Sequence, residues 1–281
     1  MRLCFFKSDI AIRGNFLIKI EIKASSKEVK DGHFDYSNME SEYGCNTLYF
    51  TKNGKPYSII AGELHFARLP KERWKETLLK MRECGVNTVS TYVFWNYHEE
   101  IKGEFDFSGN KDIAGFLQLC KEIDMPCILR IGPWCHAEVV YGDFPKRINK
   151  MRKKRTDTPE YLAEVKEYWQ GLYKEVAPYL DGNIVIGIQI ENEYTGPIQH
   201  LLTLRKLAEE IGYKAPFFTM TAWPLSKPDN RLLPLAGGYP DGPWNSGKKE
   251  LKPNNRFAIT PARTEDEIGG DLFKSQKAES G

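Results

Sequence analysis

The chain lacks the cysteine spacings that hold zinc: its six cysteines, Cys4, Cys45, Cys84, Cys120, Cys127 and Cys135, contain no CxxC pair. Four of them fall in stretches that read as strand or helix, so free thiols in a reducing compartment are expected. Missing too is a continuous apolar segment near the start. Met1 to Leu17 is interrupted by Arg2, Lys7, Asp9 and Arg13, which speaks against a signal peptide or a membrane span and makes the cytoplasm the expected address. There is also no excess of one charge, because 40 Lys and Arg stand against 38 Asp and Glu, a formal net charge of +2. No bulk field draws the protein to nucleic acid or to anionic lipid, so neither is an expected partner and function is read from local sites. Internal repeats and low-complexity tracts are absent as well.

What is present is an alternation of short apolar runs with amphipathic stretches, the pattern of a parallel sheet wound with helices. Strands are expected at Ser58–Leu64, Thr88–Phe94, Cys127–Ile131, Ile184–Ile190, Phe217–Thr221 and Leu232–Ala236. Between them, Lys71–Cys84, Lys111–Ile123, Pro159–Leu180 and Gln199–Ile211 carry apolar residues at helical spacing. Asp157 and Thr158 before Pro159 supply a cap and a first-turn proline, while Gly85 and Gly212 supply stops. At 281 residues the chain has the length of one α/β barrel, which takes about 250 residues. Alternation in Phe16–Ile22 suggests an outer antiparallel strand, and Lys248–Gly281 reads as a long loop or tail.

Chemistry gathers where the strands end. Asn-Ile-Val-Ile-Gly-Ile-Gln-Ile, residues 183–190, is β-branched and apolar enough to be covered on both faces, and it stops at Glu191-Asn192-Glu193-Tyr194. Regular alternation points Gln189, Glu191 and Glu193 one way and Ile190 and Asn192 the other. A bend or bulge at the strand end would let Asn192 and Glu193 reach one pocket together. The other ends read Gly62–Arg68, Tyr92–Glu99, Gly132–Glu138 and Thr221–Trp223, rich in aromatic, acidic and amide residues. Such a mixture suits a sugar, whose ring faces stack on aromatics while its hydroxyls bond amides and carboxylates. His65, His98 and His136 fit no metal-ligand spacing, so no metal or other cofactor is expected. The basic stretch Lys150–Arg155 reads as a solvated loop.

Taken together, Gly62–Arg68, Asn87–His98, Leu129–Glu138 and Gln189–Tyr194 resemble the catalytic barrel of glycoside hydrolase family 35, the retaining β-galactosidases, over about Tyr49 to Asp271. The resemblance implies an α/β fold, a (β/α)8 TIM barrel of which about six of eight strands are present. We divide the chain into an irregular N-terminal extension with an outer strand, residues 1–48, and a partial barrel domain, residues 49–281. The resemblance further implies hydrolysis of terminal β-D-galactosyl residues by a retaining double displacement. Glu193 corresponds to the general acid/base, Asn192 to the contact with the sugar 2-hydroxyl, and Tyr92, Ala137 and Glu138 to the lining of the galactose subsite. A poorly solvated position among Trp and Tyr side chains would suit Glu193 as an acid. If the strand end instead kept Glu191 in the pocket and turned Glu193 outward, the two would exchange roles.

The resemblance also requires a nucleophilic glutamate after a seventh strand, and no Val/Ile-rich run capped by a carboxylate follows Leu235. The expectation is therefore a truncated member whose nucleophile lies beyond residue 281. A non-catalytic galactoside-binding remnant, or a related barrel hydrolase acting on β-mannosides or β-glucosides, is the alternative. Smaller departures are His136-Ala137 before Glu138, where many relatives have Cys-Ala, and Gly142-Asp143-Phe144-Pro145 in place of a Gly-Gly-Leu-Pro turn.

Overall fold

β-Branched and aromatic runs form strands, and amphipathic stretches form helices, in the computed structural model, which describes residues 41–45, 50–221 and 233–236. The first three strands, β1 (Tyr43–Cys45), β2 (Phe50–Lys52) and β3 (Lys55–Pro56), make a small antiparallel sheet. The Asn53-Gly54 turn between β2 and β3 has positive φ at both residues, as the tight hairpin turns that match strand twist require.

The larger sheet consists of β4 (Ala61–Glu63), β5 (Thr88–Tyr92), β6 (Cys127–Arg130), β7 (Val185–Tyr194), β8 (Phe217–Thr221) and β9 (Leu233–Ala236). All neighbours are parallel, and the spatial order follows the chain order. A doubly wound sheet reverses its order at a switch point; this one does not. It has the winding of a (β/α)8 TIM barrel, with six strands among the described residues. The helices are α1 (Trp74–Glu83), α2 (Trp95–His98), α3 (Ile113–Glu122), α4 (Lys146–Asn149), α5 (Pro159–Val176) and α6 (Ile198–Ile211).

Among the described residues, the six expected strands of the main sheet and the four expected helices are present, with shifted ends. β4 is shorter than expected because β5 is its sole partner in the described sheet, so pairing defines only Ala61–Glu63. The first turn of the Lys71–Cys84 segment is a 3₁₀ turn, Lys71–Arg73. α3 begins where Asp112 accepts a hydrogen bond from the Gly115 amide at 2.7 Å. The expected side-chain cap of α5 is absent: Thr158 makes no capping bond, and Asp157 is taken instead by His200 Nδ1 at 2.6 Å and the Thr203 hydroxyl at 3.2 Å. Pro159 does occupy the first turn. The expected outer strand at Phe16–Ile22 and tail at Lys248–Gly281 lie outside the described residues.

Strand pleating sorts the side chains into two layers. Val89, Leu129, Ile131, Ile188 and Ile190 pack outward with helix residues such as Leu78, Phe116, Trp169 and Leu204 into one buried core. Trp169 is fully buried, its indole N–H donates to the Ile131 carbonyl at 2.9 Å, and its own carbonyl accepts from the Tyr213 hydroxyl at 2.8 Å. Truncation of so large a buried ring costs about 3–5 kcal/mol. The opposite face carries Tyr92, Arg130 and Gln189, which the register sets side by side at the C-terminal ends of β5, β6 and β7. Among the described residues, no helix is long and apolar enough to cross a membrane.

Candidate active site at the strand ends

Arg130 holds the strand ends together. It is a cation on an otherwise apolar strand and only 8 % exposed, so it demands partners. Its Nη1 donates to Glu63 Oε2 at 2.5 Å, and its Nη2 donates to the Tyr92 hydroxyl and to Asn192 Oδ1, the latter at 2.8 Å. The guanidinium also lies 3.6 Å from the Tyr92 ring centroid, within cation–π range. One side chain thus ties β4, β5, β6 and β7. Burial would lift the Glu63 carboxyl, but the His65 hydrogen bond and the Arg130 charge outweigh it and hold it below the ordinary carboxylate value. Burial pushes the Tyr92 phenol well above its usual range, so it stays neutral with a hydrogen to donate.

The end of β7 departs from regular alternation. Glu191 and Glu193 have φ of 58° and 46°, and the pairing with β8 shifts between Gln189 and Asn192 and again before Tyr194. These breaks bring Asn192, not Glu191, beside Gln189, whose Nε2 donates to Asn192 Oδ1 at 2.9 Å and to the Glu191 carbonyl at 2.7 Å. The expected common direction of Gln189, Glu191 and Glu193 is therefore overturned; the conditional bulge is what forms. Glu191 is fully buried and receives Arg155 Nε at 3.1 Å and Nη2 at 2.7 Å on Oε2. Arg155 belongs to the basic stretch expected to be solvated. Its side chain is 21 % exposed and lies over Trp134 and Tyr194, because the buried carboxylate requires a counter-charge.

The loop after β6 completes the site. Ala137, Glu138, Tyr141 and Asp143 all have positive φ, as do Arg155, Glu191 and Glu193, so seven of the nine such non-glycine residues described gather here. Backbone strain of this kind is a mark of functional sites. Gly142 has φ of 64° and leaves room for Trp134, whose Cε3 would lie 2.2 Å from a Cβ there. Asp143 accepts from the Tyr97 amide at 3.3 Å, and burial raises its carboxyl to about 6.

Of the residues expected from the sequence, Tyr92 and Asn192 stand in the Arg130 cluster. Ala137 packs with Tyr92, Phe94 and Cys135, and its carbonyl accepts from Arg68 Nη2 at 2.5 Å. Glu193 reaches His136, whose Nδ1 is 3.2 Å from Oε2, but its side chain is 40 % exposed, more solvated than its aromatic flanks suggested. Glu138 is exposed and forms no hydrogen bond with this cluster among the described residues. The sequence reading missed Arg130, Arg155 and the role of His136. A usable signal existed for the first, an arginine closing the apolar run Cys-Ile-Leu-Arg. His65 bonds Glu63, and His98 is stacked between Phe66 and Phe107, its imidazole lowered to about 4 by burial.

Comparison with known proteins bears on the family and the fold. A model of the family described as Glycosyl hydrolases family 35 matches residues 49–234. A β-galactosidase of Xanthomonas manihotis is 41 % identical over 157 residues, 54 % of this chain and 26 % of that protein. Beta-galactosidase 17 of Arabidopsis thaliana is 34 % identical over 232 residues, 77 % of this chain and 33 % of that protein. The solved structure of the exo-β-1,4-mannosidase Op5Man5 from Opitutaceae bacterium strain TAV5 superposes with a TM-score of 0.55 at 16 % identity, over 75 % of this chain and 42 % of that one, which is a likeness of fold. Fold and strand-end chemistry define a barrel of the glycoside hydrolase type. Within that class, the chain belongs to glycosyl hydrolases family 35. It spans about a quarter to a third of the length of the curated relatives it matches.

Proposed function

We propose that this domain serves the hydrolysis of terminal β-galactosides with retention, with Glu193 as the general acid/base. The observation that carries the reading is the break in β7, which sends Glu191 to Arg155 and leaves Glu193 accessible beside Asn192 at the mouth of the sheet. Barrel enzymes keep their chemistry at that end. It also favours Glu193 over Glu191 as proton donor. Asn192, oriented by Arg130 and Gln189, is assigned to the sugar 2-hydroxyl, and Tyr92, Ala137 and Glu138 to the galactose subsite. The β-galactosidase names of the relatives support galactose as the sugar.

Retaining chemistry uses a second carboxylate about 5–5.5 Å from the first to attack the anomeric carbon. Glu191 is engaged by Arg155, and Glu63 by Arg130 and His65. The nucleophile is therefore assigned outside the described residues. Neither step calls for a cofactor. The thiols of Cys84, Cys120, Cys127 and Cys135, all free, support a reducing, cytoplasmic address.

The test, run on the intact gene product that includes the nucleophile-bearing strand, is release of a chromogenic aglycone from aryl β-galactosides, β-mannosides and β-glucosides. The galactoside is expected to be preferred, and Glu193→Gln to lower kcat about 10²- to 10⁴-fold, the usual worth of a positioned proton donor. Wild-type turnover in that variant removes the assignment. Saturable galactose binding without any turnover turns the reading toward a galactoside-binding protein.

A further inference from the structure

The basic stretch between β6 and α5 is only partly taken up by the fold. Residues 146–155 hold seven Lys and Arg and no acid, whereas the rest of the chain holds 33 basic against 38 acidic side chains, a net charge of −5. Two of the seven are neutralised by carboxylates: Arg147 by Glu99 at 2.8 Å and Glu164 at 2.9 Å, and Arg155 by Glu191. Lys154 Nζ donates to the Asn149 carbonyl at 3.0 Å. Lys146, Lys150, Arg152 and Lys153 are exposed and pair with no carboxylate among the described residues.

A run of like charges repels itself and tends to disorder, yet this one is fastened. The Met151 amide donates to the Ile148 carbonyl at 3.0 Å, and the hydroxyls of Thr156 and Thr158 donate to the Lys153 carbonyl at 3.1 and 3.2 Å. The Tyr194 hydroxyl donates to the Arg155 carbonyl at 3.1 Å. The strap therefore holds its cations in place.

A segment that leaves β6 and enters α5 runs over the C-terminal face of the sheet, where the candidate sugar site opens. Arg155 joins the strap to that site, with its guanidinium 4.7 Å from the Trp134 ring centroid and its Nη2 donating to the Asn192 carbonyl at 3.0 Å. Lys153 and Arg152 precede it by two and three residues, so their Cα atoms lie at most about 8 and 11 Å from that of Arg155. Those spans are close to the Debye length of about 8 Å at physiological ionic strength, so the field of the strap reaches the mouth.

With a terminal galactose beside Asn192 and Glu193, the rest of a substrate passes outward across the face that the strap borders. Nucleic acid and anionic membranes are held by many cations spread over a broad surface, which the negative remainder of the chain opposes. A short run of anionic groups needs only the strap. Arg152 offers a planar fork to a carboxylate or sulfate, and Lys150 and Lys153 offer point charges. Of the acids next in the chain, Asp157 is engaged by His200 Nδ1 and the Thr203 hydroxyl, which leaves Glu160 of the first turn of α5 against four exposed cations.

We propose that Lys150, Arg152 and Lys153 form an acceptor-side site that selects galactosides whose aglycone is an acidic oligosaccharide, bearing carboxylate or sulfate groups. The inference rests on the proposed galactosidase reading and narrows its substrate class.

The first measurement is isothermal titration calorimetry of the full chain with a short oligogalacturonate, a sulfated galactan oligosaccharide and a neutral galactan oligosaccharide. At low salt the acidic ligands are expected to bind about tenfold more tightly than the neutral one, with the margin shrinking as sodium chloride is raised. The variant Lys150→Gln/Arg152→Gln/Lys153→Gln, altered only at exposed side chains, is expected to lose the margin. The second measurement, on the intact gene product, compares kcat/KM for β-galactosides with a uronate, a sulfated or a neutral aglycone sugar. The acidic-to-neutral ratio should fall about tenfold in the same variant, through KM. A margin with carboxylate or sulfate alone upholds the proposal and names the anion. Equal binding of all three oligosaccharides, a margin that survives the substitutions, tighter binding to duplex DNA or phosphatidylserine vesicles, or an unmoved ratio overturns it. Calorimetry needs no turnover, so failure to hydrolyse any galactoside would strike the proposed function and leave the binding result standing.

Discussion

Removal of Arg155 tests whether the strand-end bulge depends on a buried ion pair. In Arg155→Met the Glu191 carboxylate, fully buried, loses two hydrogen bonds to Oε2, and the Asn192 carbonyl loses a third at 3.0 Å. Glu191 Oε1 has no hydrogen-bond partner among the described residues, and the carboxylate keeps only the Asn192 amide, a long contact at 3.3 Å to Oε2, which cannot replace a counter-charge. An uncompensated buried charge of this kind costs about 3–5 kcal/mol. At about 2–4 °C per kcal/mol for a domain of this size, Tm should fall by about 6–20 °C. Thermal melts followed by circular dichroism measure it. The double variant Arg155→Met/Glu191→Leu removes both charges and should recover most of the loss, because apolar replacement of a whole buried pair is often close to neutral. A single variant within about 1 kcal/mol of wild type, or a double variant no more stable than the single, refutes the reasoning.

Two further expectations concern the loop after β6. Burial raises the Asp143 carboxyl to about 6 in the folded protein. Its folded value exceeds the unfolded one, so its contribution to stability is complete below about pH 4 and is lost as pH rises through about 6. Asp143→Asn keeps an acceptor for the Tyr97 amide and should gain in Tm relative to wild type between those pH values, whereas a constant difference across paired melts would refute the burial argument. Gly142→Ala places a methyl group against the Trp134 ring at a residue with φ of 64°. It should cost at least about 1–2 kcal/mol from backbone conformation alone and change the near-ultraviolet dichroism of the indole, and an unaltered melt with an unaltered spectrum would show that the loop adjusts freely.

The parallel sheet and its helices were legible because burial on both faces of a strand demands an unbroken Ile/Val run, as in 184–190, and burial of one helix face demands apolar spacing, as in Trp74, Leu78, Leu79 and Met81. The strand-end cluster was conspicuous because three polar residues, Glu191-Asn192-Glu193, close an apolar strand, but that one of them, Glu191, pairs with Arg155 in the interior was not. Which carboxylate faces outward was not legible. Local periodicity assumes a regular pleat, and the positive φ of Glu191 and Glu193 breaks it at the decisive residues.

Nearest-neighbour patterning in the chain determined the element types, their order and the end of the sheet at which acidic, amide and aromatic residues gather. Only the tertiary structure decided the partners of the charges, because Arg130 meets Glu63 across 67 residues and Asn192 across 62, and Arg155 meets Glu191 across 36. Such pairings depend on which strand ends converge in space and on the need of each buried charge for a counterpart, and neither is written in any local stretch of sequence.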